Sequence, residues 1–140
     1  MKQASKLTIF GDGGSRGNPG PAAYGFAVFD EHGQLLYSEG KRLGVATNNV
    51  AEYSSVINAL RYVISHHSEA SVVHFKLDSL LIASQMAGKF KIKHPSMKEL
   101  FITAKRLEEQ LSAQIIYSQI PREQNKVADK LVNQALDFII

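Results

Sequence analysis

Hydrophobic and polar positions alternate with a period of two in the amino-terminal part of the chain. Lys6–Gly11 shows this alternation, which is typical of a half-buried strand, and Ala23–Phe29 and Leu35–Lys41 are the next two predicted strands. The second and third are separated by the segment DEHGQ, in which Gly33 is a turn residue of the kind found in hairpins. The pattern therefore predicts three consecutive strands in a meander.

Beyond this meander the hydrophobic spacing becomes that of helices interrupted by strands. Apolar residues recur at three- and four-residue intervals from Asn48 to about Ser65, which predicts a long helix. The remaining predicted elements are, in chain order, a strand Ser71–Leu77, a short helix Ser79–Ala87, a helix beginning at Pro95, a strand over AQIIYSQI and a helix Asn125–Phe138. This order predicts an α/β fold, a mixed sheet with helices on both faces.

Composition narrows the class of protein. The 140 residues suit a single domain spanning positions 1–140, and the absence of cysteine excludes disulfides and thiolate metal sites. The net charge of +3 permits a nucleic-acid partner without requiring one. No apolar run is long enough for a signal peptide or a membrane span. We therefore expect a monomeric cytoplasmic protein with no membrane partner.

Four acidic residues occupy positions that the predicted fold brings together. Asp12 follows the first strand and Asp78 follows the fourth, and the carboxyl ends of neighbouring parallel strands meet at one edge of a sheet. Glu52 shares the apolar side of its helix, and Asp129 lies in the first turn of the last helix. One such acid is usually a cap or a turn residue, but four together require a cation. Oxygen ligands favour magnesium, with manganese as the alternative.

The glycine-rich stretch after Asp12, GGSRGNPGPAAYG, does not match a nucleotide-binding loop. The motif GxGxxG would need glycine where Arg16 stands, and GxxxxGK[ST] fails because Phe26 follows Gly25. A turn between two strands is the simplest interpretation. We therefore expect no nucleotide cofactor.

Four segments, in order and over nearly the whole chain, resemble ribonuclease H of type 1: FGDGGSRGNPGPAAYG, TNNVAEYSSVINAL, KLDS and PREQNKVADKLVNQA. The resemblance implies a ribonuclease-H-like fold whose five-stranded sheet has its first three strands antiparallel. It implies hydrolysis of the RNA strand of RNA–DNA hybrids with two Mg²⁺ ions, Mn²⁺ being the alternative. The catalytic, metal-binding carboxylates of the family carry over onto Asp12, Glu52, Asp78 and Asp129.

The same resemblance implies a set of substrate contacts. The backbone of the glycine-rich stretch would pass against the RNA strand, since glycine permits close approach. Asn18 and Thr47 would lie near a DNA phosphate. Asn48 and Asn49 would enter the minor groove. The implied substrate-binding residues are Gly13, Gly14, Ser15, Asn18, Thr47, Asn48, Asn49 and Asn125.

Two positions depart from the family pattern. Arg122 stands in the loop before the last helix, where many bacterial members have histidine. Arginine stays protonated and cannot act as a general base, so its expected catalytic role is to hold the scissile phosphate or to help product leave. Leu80 stands after Asp78, where other members often have a polar contact to a base.

The segment after Asp78 is also too short for the long basic protrusion of some members. What remains includes KFKIKH, in which three lysines alternate with two apolar residues. An extended segment would place Lys89, Lys91 and Lys93 in one row, and we hypothesise that this row contacts the DNA strand. The alternative is a solvated sheet edge whose lysines prevent strand pairing.

The sequence leaves two alternatives to hybrid cleavage. A ribonuclease-H-like module with weak catalysis would bind nucleic acid through the same surface, and Leu80 and the missing protrusion favour it. A recombinase or resolvase would also gather acids on such a sheet, but TNNVAEY and GGSRGNPG match the hybrid-cleaving branch better.

Overall fold

The computed structural model describes residues 4–138. Within that range the sheet and its helices follow the predicted order. The strands are β1 (Lys6–Ser15), β2 (Gly20–Phe29), β3 (Leu35–Ala46), β4 (Val72–Leu77) and β5 (Gln114–Gln119). The helices are α1 (Asn48–His66), α2 (Leu80–Met86), α3 (Pro95–Glu108) and α4 (Lys126–Leu136), with a 3₁₀ turn at Arg122–Gln124.

The five strands form one mixed sheet in the order β3-β2-β1-β4-β5. The pairs β1–β2 and β2–β3 are antiparallel, whereas β1–β4 and β4–β5 are parallel. The predicted fold class and the antiparallel meander are therefore confirmed. The parallel pairing of β1 with β4 stops at Gly11 and Leu77. Asp12 and Asp78, the next residues, therefore lie side by side where this pairing ends.

The first strand is longer than predicted. It continues from Gly11 to Ser15 because β2 remains paired with it, as far as Ser15 opposite Ala22. The prediction that Asp12 stands after the strand was therefore wrong, as was the interpretation of the following glycines as a loop. The connecting turn is confined to residues 16–19.

Helices cover both faces of the sheet, as predicted. Helix α1 packs on β1 and β2 over the larger hydrophobic core, which contains fully buried Phe26, Leu60 and Phe75. Helix α4 packs on β1, β2 and β3 through a smaller cluster that includes Ala23 and Val132. The sheet is thus the middle of three layers.

Local signals set where the helices begin. Thr47 caps α1 by accepting a hydrogen bond from the Val50 N–H, and Ser79 caps α2 in the same way. Pro95 opens α3, where its missing N–H is harmless. The last helix ends at Leu136 rather than at the predicted Phe138, whose φ of 61° is left-handed.

Residues 88–94, which connect α2 to α3, form neither helix nor strand. The edges of the sheet are β3 and β5, so the interpretation of KFKIKH as a sheet edge was wrong. The three lysines are exposed, while Phe90 and Ile92 line an apolar groove together with Phe101 and Ile102 of α3. Phe90 is nevertheless 46% exposed, so the role of the lysine row stays a prediction.

No helix within residues 4–138 combines the length and the hydrophobicity that crossing a bilayer requires.

Candidate active site

Three carboxylates meet where the parallel pairing of the inner strands β1 and β4 ends. One oxygen from each of Asp12, Glu52 and Asp78 can be chosen so that all three lie within 4.8 Å of one another. Asp12 is in β1, Asp78 directly follows β4, and Glu52 lies in the first turns of α1. Three separate elements therefore deliver the acids that the sequence analysis singled out.

Helix α1 reaches the cluster because β1 has no side chain where the two elements touch. A Cβ atom at Gly13 would lie 2.2 Å from the carbonyl carbon of Ala51 and 2.4 Å from the backbone nitrogen of Glu52. The glycine beside Asp12 thus permits close packing of the helix, rather than only the approach of a substrate. At Gly14 the nearest atom to a Cβ would be 3.8 Å away, on Val132, so protein packing does not require that glycine.

The fourth predicted acid, Asp129, lies outside this group of three but lines the same cleft. It is half-buried in the first turn of α4, and its backbone N–H donates to the carbonyl of Asn125 at 3.1 Å. Its charge raises the pKa of Asp12. Asp129 is therefore electrostatically part of the cluster.

Burial makes the ionised forms of Asp12 and Glu52 unfavourable. Burial, followed by the neighbouring Asp78 charge, raises the pKa of Asp12 to about 7, although the Gly13 N–H lowers it in part. Burial also raises the pKa of Glu52 to about 8; a hydrogen bond with Ser79 opposes the shift, and Asp12 and Asp78 add to it. A divalent cation would offset both effects, and a donor set made of carboxylate oxygens fits a hard ion. The residues present therefore fit a divalent metal.

The acids open into a cleft of about 600 Å³. Five of the eleven predicted substrate-binding residues line it, namely Gly13, Gly14, Ser15, Asn48 and Asn49, and so does Arg122 from the predicted catalytic set. Arg16, Ser79 and Asn133 line it as well and were missed by the sequence analysis. Arg16 lies inside the glycine-rich segment, which was the available signal, although its side chain pairs with Asp137 at 2.7 Å.

Hydrogen bonds within the protein already engage the predicted contact residues Ser15, Asn18, Thr47 and Asn48. The Asn18 side chain accepts a hydrogen bond from the Asn48 N–H at 3.0 Å, and Asn48 Oδ1 accepts one from the Ser15 N–H at 2.8 Å. Thr47 is occupied as the cap of α1. These bonds tie the turn after β1 to the start of α1. They fix the shape of this cleft wall.

The structure leaves Asn125 no surface with which to touch a substrate. Its side chain is 0% exposed and lies behind the acids, where Nδ2 donates to the Gly11 carbonyl at 2.9 Å. The prediction of a substrate contact at this position was therefore wrong. Neither hydrophobic alternation nor a motif could reveal this, because burial of a polar residue at a helix start is a tertiary property.

Arg122 and Leu80 flank Asp78 on the exposed side. The Arg122 side chain is 79% exposed, with Nε 4.0 Å from Asp78 Oδ2, so it is free to swing toward a ligand. Leu80, at the start of α2, is 58% exposed. Lys89, Lys91 and Lys93 do not line the cleft.

Residues 10–135 match the family model described as reverse transcriptase-like. The chain is 42% identical over 134 residues to the bifunctional protein Rv2228c of Mycobacterium tuberculosis, covering 94% of this chain and 36% of that protein. It therefore spans about a third of the length of the first curated relatives it matches. Ribonuclease HI of Halobacterium salinarum is 33% identical over 135 residues, covering 96% of this chain and 66% of that protein.

Solved structures of ribonucleases H resemble this chain in fold as well as in sequence. The N-terminal RNase H domain of Rv2228c, as a fusion with maltose binding protein, superposes with a TM-score of 0.89 at 40% identity, covering 96% of each chain. LC11-RNase H1, in complex with an RNA/DNA hybrid, superposes with a TM-score of 0.90 at 38% identity, covering 95% of this chain and 98% of that one. Together with the shared sheet order and the acidic cluster, these matches show that the chain belongs to the type 1 ribonuclease H family.

Proposed function

We propose that this domain hydrolyses the RNA strand of RNA–DNA hybrids. The observation that carries the proposal is the convergence of Asp12, Glu52 and Asp78 within 4.8 Å at the floor of an open cleft. Similarity to a protein whose structure was solved with an RNA/DNA hybrid supports the substrate class. The cleft is open rather than enclosed, as a polymeric substrate requires.

The proposed metal ligands are Asp12, Glu52, Asp78 and Asp129, and the proposed cofactor is a pair of Mg²⁺ ions, with Mn²⁺ as the alternative. Bound ions of this kind lower the pKa of a coordinated water and neutralise charge on a phosphate. The protein contributes a partly buried floor that keeps the acids close despite their repulsion. Because burial raises the pKa of Asp12 and Glu52, protons compete with cations for the site.

The walls of the cleft supply the proposed substrate contacts. The backbone of Gly14 and Ser15 and the side chains of Asn48 and Asn49 face the same space as the acids. Hydrogen-bonding groups placed there would recognise the 2′-OH, which distinguishes RNA from DNA. The exposed guanidinium of Arg122 suits a phosphate, because its fork of N–H donors matches phosphate oxygens.

A catalytically weak hybrid-binding module is the second candidate, and the exposed Leu80 favours it. An apolar side chain beside Asp78 offers no hydrogen bond to a base. Leu80 in place of a polar residue would affect substrate binding beside Asp78, but all four proposed metal ligands line the cleft. The enzyme is therefore the better-supported function.

The discriminating experiment is cleavage of a labelled RNA–DNA hybrid, with double-stranded RNA and double-stranded DNA of the same sequence as controls. We expect cuts in the RNA strand of the hybrid alone, dependent on Mg²⁺ and abolished by EDTA. Asp78→Asn, purified in parallel, controls for contaminating nucleases. Binding of the hybrid without cleavage, in both Mg²⁺ and Mn²⁺, would establish the binding module instead.

We further propose that residues 1–140 act as one monomeric domain in the cytoplasm, without a nucleotide cofactor. The continuous sheet and the lack of cysteine support a single unit in a reducing compartment. Light scattering of the purified chain tests the monomer, since a dimer would double the measured mass.

A further inference from the structure

Asn125 lies behind the acidic cluster and joins two of the strands that carry it. Its Nδ2 donates to the Gly11 carbonyl oxygen at 2.9 Å and lies 3.4 Å from Asp78 Oδ2. Gly11 immediately precedes Asp12, and Asp78 directly follows β4. One buried amide therefore bridges the two places where the sheet presents its acids.

The backbone of Asn125 connects the same point to α4. Its N–H donates to the Arg122 carbonyl at 2.9 Å, and its carbonyl accepts from the Asp129 N–H at 3.1 Å. The 3₁₀ turn that carries Arg122 and the helix turn that carries Asp129 are both held by this residue. Asn125 is thus bonded to Gly11 and to three residues that line the cleft, Asp78, Arg122 and Asp129.

The side chain does not perform the usual task of an asparagine at a helix start. Such a residue normally accepts a hydrogen bond from an N–H of the first turn, but here no side-chain cap bond forms. The carbonyl of Gly11 can only accept, so the amide nitrogen must face it and Oδ1 must point away. Oδ1 is buried and has no hydrogen-bond partner among the described residues.

Folding stability alone does not favour this arrangement. A buried acceptor without a partner is unfavourable, and the same oxygen forgoes the cap bond that would have satisfied it. The gain is the bond from Nδ2 to the main chain and to the carboxylate. A carboxylate with one oxygen held rotates less freely, so its other oxygen is presented in a fixed direction to a ligand.

We propose that Asn125 is a positioning residue, which holds the Asp78 carboxylate in the orientation that binds a divalent cation. The inference deepens the proposed function and rests on it for the identity of the ion. Groups that hydrogen-bond to metal ligands from behind typically change metal affinity 10–100-fold when they are removed. Hybrid binding through the cleft walls does not involve Asn125, so KM should change much less than kcat.

The test is isothermal titration of the folded protein with Mg²⁺, and separately with Mn²⁺, in the absence of nucleic acid. We expect Asn125→Ala to raise the dissociation constant of the ion by about 10-fold or more. Asn58→Ala is the matched control, because it deletes the same amide from α1, where Nδ2 donates to the Ser54 carbonyl at 2.8 Å, away from the acids. Val63→Ala controls for reduced stability, since it removes buried core volume away from the cleft.

An Asn125→Ala protein that is folded and binds the ion as tightly as wild type would overturn the proposal. So would an equal loss of affinity in Val63→Ala, which would show that general destabilisation is the cause. If Asn125→Ala does not fold, NMR spectroscopy of the wild-type protein provides the test. The side-chain amide protons of Asn125 should exchange slowly with solvent, and their signals should shift when Mg²⁺ is added. Unshifted signals at saturating Mg²⁺ would contradict the role.

Failure of the proposed function is distinguishable from failure of this inference. If the wild-type domain binds Mg²⁺ but cleaves no hybrid, the proposed activity is wrong, while the titration of Asn125→Ala still tests the positioning role. If the wild-type domain cleaves hybrid and Asn125→Ala retains both metal affinity and kcat, the inference alone is wrong.

Discussion

Gly13 and Ala51 bring strand β1 and helix α1 into backbone contact, immediately beside Asp12 and Glu52. A Cβ atom at Gly13 would approach the Ala51 carbonyl carbon to 2.2 Å, a distance that no real contact tolerates. The separation of the strand from the helix, and hence the position of the Glu52 carboxylate relative to Asp12, depends on the missing side chain.

Gly13→Ala should therefore damage both the fold and the site. The added methyl group must push α1 away from β1, and overpacking of this kind typically costs about 1–3 kcal/mol or more. Thermal unfolding followed by circular dichroism measures the loss. Gly14→Ala is the matched control, because its methyl group would have 3.8 Å to the nearest atom; an equal loss of stability in both variants would contradict the packing argument.

Asp12→Asn should abolish cleavage while hybrid binding in Ca²⁺ survives. Asp12 is buried and has a carboxylate oxygen within 4.8 Å of both Glu52 and Asp78, so the substitution would remove the charge of a proposed metal ligand. Cleavage assays in Mg²⁺ and fluorescence anisotropy in Ca²⁺ measure the two properties separately. Near-normal turnover in Mg²⁺ would overturn the metal assignment.

The metal-free protein should lose stability as pH rises from about 4 to 8. The folded state keeps protons on Asp12 and Glu52, whose pKa values are about 7 and 8, at pH values where the unfolded chain has released them. The unfolded state therefore binds fewer protons in this window, so the free energy of unfolding falls with increasing pH. Urea unfolding in EDTA at several pH values tests this, and added Mg²⁺ should reverse the loss at pH 8.

Substitution of Asp12 gives a sharper form of the same test. In EDTA at pH 8, Asp12→Asn should be more stable than wild type by on the order of 1 kcal/mol, because the cost of ionising a buried carboxyl group disappears. The difference should vanish near pH 4. Glu109→Gln, which alters an exposed acid outside the cleft, is the control and should show no such pH-dependent gain.

Arg122→Ala should reduce turnover by roughly 10²-fold or less, the low end for a positioned group. The side chain is largely exposed and 4.0 Å from Asp78, so it can hold phosphate or assist release but does not build the metal site. Steady-state kinetics on a labelled hybrid, with Arg122→Lys as the conservative comparison, measures the effect. Complete inactivity of a folded Arg122→Ala protein would show a larger catalytic role.

Replacing Lys89, Lys91 and Lys93 together by alanine should weaken hybrid binding and flatten its salt dependence. Removing one lysine–phosphate interaction reduces the slope of log K against log salt by about 1. Turnover at saturating substrate should stay close to wild type, because these lysines lie outside the cleft. Anisotropy titrations over a range of salt concentrations provide the slope.

A triple alanine variant of Lys6, Lys41 and Arg106 is the charge-matched control for the lysine row. These residues are exposed and also lie outside the cleft, so they test whether any loss of positive charge has the same effect. Equal slopes for wild type and the Lys89, Lys91 and Lys93 variant would leave the row without a role in binding.

The order of the elements and the positions of Glu52 and Asp129 on their helices could be predicted from the sequence. Hydrophobic periodicity is local, since it depends on which side of one strand or helix must be buried, and it correctly located Glu52 on the inner side of α1 and Asp129 in the first turn of α4. The parallel arrangement of β1 and β4 then explains why Asp12 and Asp78 meet.

The length of β1, the need for glycine at position 13 and the burial of Asn125 depend on contacts between distant segments. The extension of β1 to Ser15 depends on pairing with β2, and the need for glycine at position 13 depends on the path of α1. Asn125 stands at the predicted start of the last helix and was expected to touch substrate, yet its side chain is buried against Gly11, a residue distant in sequence. Such contacts are made between segments that periodicity treats separately, so neither the burial of that amide nor the spacing of the carboxylates could be predicted before the layers were packed.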